Sequence, residues 1–139
     1  MIISRNRNRI AHTQSRHGAA AVEFAVCLPV VLLVVFGSIQ AASMLFLRQA
    51  TIQAAYEGVK VAVAGTGTDD GVREAAQAVL SGRQLTGVSI DIQPANVDSL
   101  DAGTVVEVTI SAPSDENTLF PFGLFSGTII SANAVMVKE

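Results

Sequence analysis

The stretch Arg16-His17-Gly18-Ala19-Ala20-Ala21-Val22-Glu23-Phe24 stands at the threshold of an apolar run and decides how the chain must fold. From Phe24 through Leu47 there are 24 consecutive residues without Asp, Glu, Lys or Arg. As a helix they would span roughly 36 Å, enough to cross a bilayer core of about 30 Å with some tilt. A carboxylate at the edge of such a segment is costly, so Glu23 calls for a role. Pro29 lies inside the run, where the missing backbone donor and the crowded preceding turn favour a bend.

Charge on either side of this segment is unequal. Met1 to Gly18 carries four arginines (Arg5, Arg7, Arg9, Arg16) and no acid, whereas Arg48 to Glu139 carries five bases and eleven acids, a net of −6. Basic residues before a span and an acidic region after it predict a single-pass membrane protein with a cytoplasmic N-terminus and an exported C-terminal domain. The basic run lacks interleaved aromatics, which argues against a nucleic-acid partner. A lone cysteine, Cys27, allows no internal disulfide and reads as a small apolar residue within the span.

Beyond Leu47 the apolar positions Ile52, Tyr56, Val59 and Val63 recur every three or four residues, with Arg48, Gln49, Gln53, Glu57 and Lys60 between them. This spacing predicts that the helix continues to about Ala64, amphipathic in its second half, with Ile52, Tyr56, Val59 and Val63 facing the core. Gly65 is the expected stop, through a left-handed conformation. Asp69 or Asp70 is expected to cap a second, shorter helix ending near Gly82. After Gly87 the period changes to two: Val88, Ile90 and Ile92 alternate with polar residues, as do Val106, Val108 and Ile110, and a third run extends from Thr128 to Val137. The expected fold is α+β, with a small antiparallel sheet of about three strands packed on the amphipathic half of the long helix. The expected division is a leader (1–18), the membrane-spanning and then amphipathic helix (19–64), and a small exported domain (65–139).

The segment before the last strand gathers Phe120, Phe122 and Phe125 around Pro121 and Gly123, either as a plug for the open end of the sheet or as a partner patch. No catalytic constellation is present. His12 and His17 lie in the basic leader with no nearby cysteine or carboxylate at ligand spacing, and the acidic pairs are better read as caps and turns. Gly65-Thr66-Gly67 lacks the Lys and Ser/Thr that complete a phosphate loop. Neither metal nor cofactor is expected, nor is an enzyme.

The basic leader, Gly18, the small residues, Glu23 and Phe24, and an apolar helix containing Pro29 together resemble the processing site of type IV prepilins. The longer string from Gly18 to Pro29 is similar to that of the TadE-like pseudopilins of tight-adherence pilus systems. Gln53-Ala54-Ala55-Tyr56-Glu57-Gly58-Val59-Lys60 resembles the sequence that follows the helix in that family. The resemblance implies cleavage of the Gly18-Ala19 bond by a prepilin peptidase, which makes Ala19 the new N-terminus and Glu23 the fifth residue, serving with Phe24 in assembly and register. It implies a pilin-like fold and, as partners, the lipid bilayer, the peptidase, other pilins or pseudopilins and the assembly proteins. The 75 residues after the helix suggest a minor component of the pilus, or an assembly factor, rather than the main subunit. The alternative is an exported binding protein, with no pilus role, whose apolar segment is an uncleaved anchor or a signal peptide cut near Ala41-Ala42-Ser43.

Overall fold

The computed structural model describes the backbone of residues 10–119 and 126–139, and side chains from residue 18 onward within those bounds. Phe120, Phe122 and Phe125 lie outside the described residues. The chain forms an α+β structure in the order α1 (Ile10–Val63), α2 (Asp69–Gly82), β1 (Ser89–Gln93), β2 (Val105–Pro113), α3 (Ser114–Asn117) and β3 (Ile129–Val137). There are two compact units, one ending at Ile39 and the other comprising Gln40–Glu139, and α1 contributes to both.

In the first unit every residue from Gly18 to Phe36 is exposed, including Val22, Phe24, Leu33 and Val34. The helix here is long and apolar enough to cross a membrane, with a mean hydropathy of 2.6 in its most apolar window. Uncovered apolar side chains on all sides of one helix suit a lipid environment, where the backbone is satisfied within the helix itself. Pro29 sits inside α1, which is helical on both sides of it.

In the second unit α1 turns a stripe of mostly small residues inward. Leu47, Ala50, Thr51, Ala54, Ala55, Gly58, Val59 and Ala62 are buried. The expected core face is therefore corrected: Ile52 and Tyr56 are each 49% exposed, Val63 is half-buried, and only Val59 of the four is fully buried. The physical reason is close approach, since alanine and glycine let the sheet and α2 come nearer to the helix axis than large side chains would. A Cβ added to Gly58 would lie 3.3 Å from Val108 Cγ1, 3.5 Å from Val72 Cγ1 and 3.6 Å from Ala76 Cβ. Gly58 thus stands where α1, α2 and β2 meet.

The helix ends as expected in place but not in manner. Positive φ among the described glycines occurs at Gly87, Gly103 and Gly127, not at Gly65. Gly67 is the residue that only glycine fits, because a Cβ there would lie 2.2 Å from the Val61 carbonyl oxygen. The cap of α2 is also corrected. Thr68, in extended conformation, accepts from the Gly71 N–H at 3.1 Å, so neither Asp69 nor Asp70 is the N-cap. The α2 face Val72, Ala76 and Leu80 is fully buried.

The sheet is antiparallel in the order β1-β2-β3, with Ile90 opposite Ile110, Val108 opposite Ala134 and Pro113 opposite Ile129. Alternation works as the period of two requires. Ile92, Val106, Val108 and Ile110 join α1 and α2 in one core, and Val97, from a 3-10 turn at Val97–Ser99, completes it.

Candidate functional site

Gly18, Ala19, Glu23 and Phe24 all lie on α1 and are exposed. Ala19 and Glu23 are four residues apart, about one turn or 6 Å along the axis, and therefore on the same face. Glu23 has no hydrogen-bonding or ion-pair partner among the described residues, and the apolar side chains of Val22, Phe24 and Val26 around it are 64–70% exposed. An acid on an uncovered apolar helix is a group that the described residues leave open to an added partner.

The second string, Gln53 to Lys60, divides into two faces. Ala54, Ala55, Gly58 and Val59 are buried in the core, while Gln53, Tyr56 and Lys60 are exposed. Lys60 Nζ lies 3.0 Å from Glu57 Oε2 and 5.8 Å from the centre of the Tyr56 ring. The hydrogen bond from Lys60 to Glu57, then the charge of that carboxylate, raises the lysine pKa above its usual value. Gln53 Oε1 accepts from Arg83 Nη2 at 2.7 Å, linking α1 to the residue that follows α2. Much of this string's composition is thus explained by packing, with a polar outer face.

Asp69 serves a fastening that sequence reading did not find. Its carboxylate accepts from Val97 N at 2.8 Å and from Asn96 N at 3.0 Å. These two bonds, Val97 first, hold its pKa below the ordinary carboxylate value. Lys138 is buried, with Nζ donating to the Val97 carbonyl. Partners 28 and 41 residues away in sequence leave no local signal.

A surface groove of about 570 Å³ is lined by Phe46 and Leu47 of α1, by Arg83 and Leu85 after α2, and by Asn117 and Leu119 after β2. No group of three or more His, Cys, Asp or Glu side chains suited to a metal exists among the described residues.

Comparison with known families matches residues 18–60 to the family model described as TadE-like protein. The matched segment opens at Gly18 and closes at Lys60, taking in both strings from which the resemblance was drawn. It joins the uncovered helix of the first unit to the buried alanine and glycine stripe of the second. Comparisons with curated proteins and with solved structures gave no match.

Proposed function

We propose that the chain is a membrane-anchored pseudopilin that takes part in the assembly of a tight-adherence pilus, is processed after Gly18 by a prepilin peptidase, and acts as a structural protein rather than an enzyme. The observation that carries this reading is an acid, Glu23, without a partner among the described residues, on a helix whose residues from Gly18 to Phe36 are all exposed, in a segment similar to TadE-like proteins. Hydrolysis of the Gly18-Ala19 bond would remove four arginines and leave a chain of net charge −7. It would also place a free amine on Ala19, one turn from Glu23. In a neighbouring subunit that amine is the natural partner for the carboxylate. Pairing in a low-dielectric bundle would penalise helices shifted along their axes, so the proposed role of Glu23 is register.

N-terminal sequencing of the protein from membranes of cells holding the peptidase tests the processing step. A start at Ala19 supports it, and Gly18→Arg is expected to leave the leader in place with lower mobility. An intact Met1 in the unaltered protein favours a plain anchor, and a start near Ser43 or Met44 favours the exported binding protein.

A further inference from the structure

The groove of about 570 Å³ lies wholly within the second unit. Its floor is α1, where Phe46, Leu47 and Ala50 line it, and Leu85 and Leu119 come from its sides. Asn117 stiffens those sides, because its Oδ1 accepts from Thr86 N at 2.8 Å while its Nδ2 donates to Thr86 O at 2.9 Å and to Pro113 O at 2.8 Å. These bonds join the turn after α2 to the end of α3, so the groove is built before any ligand arrives. Its volume falls within the roughly 300–1,000 Å³ of small-molecule sites.

Two side chains of opposite charge, Arg83 and Glu116, line the same groove and do not pair with each other. Arg83 Nη2 donates to Gln53 Oε1 at 2.7 Å, which leaves most of the five guanidinium N–H groups open. Glu116 has no hydrogen bond or ion pair among the described residues, and its Oε1 would lie 3.2 Å from a Cβ added at Gly87. Both N–H groups of Asn117 are engaged, so none remains for a peptide carbonyl. Separated charges beside an apolar floor complement a ligand that carries an anion and a cation at the head of an apolar tail. The floor indicates the source of such a ligand. Phe46 and Leu47 are the last two residues of the uncharged run Phe24–Leu47, and Leu45 and Phe46 are 61% and 65% exposed. The groove thus begins on the part of α1 whose composition suits lipid, with no charged residue of the helix in between.

We infer that this groove binds one phospholipid whose headgroup joins a phosphate to a primary ammonium. An acyl chain lies against Phe46, Leu47, Ala50, Leu85 and Leu119, Arg83 takes the phosphate and Glu116 the ammonium. A primary ammonium is favoured over a quaternary one because its N–H groups form charge-assisted hydrogen bonds with the carboxylate. The inference rests on the reading of α1 as a membrane helix and is independent of processing and of a pilus role.

The test places the full chain in phosphatidylcholine nanodiscs with a small share of a phosphatidylethanolamine that carries a photoactivatable acyl chain. Adducts formed on irradiation are mapped by mass spectrometry. They are expected at two places, along residues 22–36 of α1 and on the groove residues Phe46, Leu85 or Leu119. The ratio of groove to span adducts is the readout. Unlabelled phosphatidylethanolamine should lower it, whereas phosphatidylglycerol, which has the phosphate without the ammonium, should not. Arg83→Gln and Glu116→Gln should each keep the melting transition and lower the ratio by about fivefold, the upper range for an ion pair at an exposed site. If Arg83→Gln does not fold, having lost its bond to Gln53, Glu116→Gln carries the expectation alone. Span adducts without groove adducts, a ratio that both variants leave unchanged, or one that phosphatidylglycerol lowers as much as phosphatidylethanolamine would each overturn the inference and leave the membrane reading standing. Adducts at neither place would overturn both.

Discussion

Glu23 and Gly58 are single residues whose chemistry is set by what surrounds them. Glu23 is exposed on a bare helix, so replacing it should not disturb insertion. Its proposed contribution arises only when a second subunit supplies an amine. Glu23→Ala is expected to fractionate with membranes as the unaltered protein does, while pili fall to background by electron microscopy. The amine left unpaired in the bundle would cost about 3–5 kcal/mol per contact. Normal pilus numbers would remove the register role. At Gly58 the constraint is steric, with Val108 Cγ1 3.3 Å from the position of an added Cβ. Gly58→Val should destabilise the second unit by about 1–3 kcal/mol through overpacking, read as a lower midpoint in urea. Gly58→Ala is expected to change it much less, because gained helix propensity offsets the tight contact.

Between elements, Asp69 ties the start of α2 to the 3-10 turn that carries Val97 into the core. Its lowered pKa fixes the sign of a pH effect. A carboxyl depressed on folding adds stability above its unfolded value, near 4, and loses it as pH falls through the folded value. The melting temperature should therefore fall on acidification below about pH 4. Asp69→Asn, lower by roughly 1 kcal/mol at neutral pH, should converge on the unaltered protein as the solution is acidified. Equal slopes for both proteins would show that the Asp69 bonds carry none of the effect. The element types were legible in the sequence because periods of 3.6 and 2 follow directly from side-chain geometry: Val106, Val108 and Ile110 were placed inward and are fully buried. The helix face was misjudged because Ile52 and Tyr56 are large and periodic, while Ala50, Ala54, Ala55, Gly58 and Ala62 carry little hydrophobic weight. Small size was the relevant property there. Thr68 was passed over in favour of Asp69 or Asp70 because an acid near a helix start reads as a cap, and the partners of Asp69 at Asn96 and Val97 are invisible locally. The junction at Gly18 was legible as a string, but the partner proposed for Glu23 belongs to a second subunit and has no trace in the sequence of one.

At the scale of the molecule, the core draws on α1 from Leu47 to Ala62 as much as on the sheet. The unit Gln40–Glu139 should therefore fold alone, melting cooperatively by circular dichroism. A fragment beginning at Gly65 lacks Leu47, Ala50, Ala54, Ala55, Val59 and Ala62 and should show no transition. A cooperative transition from the shorter fragment would contradict this account of the core. The bond from Glu139 N to Val63 O has a practical consequence. It pins the carboxy terminus beside the last turn of α1, about 24 Å along the helix axis from Leu47, where the uncharged run ends. A fluorophore or affinity tag joined to Glu139 would therefore be carried beside Val63, at the opposite end of this unit's helix from the groove that Phe46 and Leu47 line.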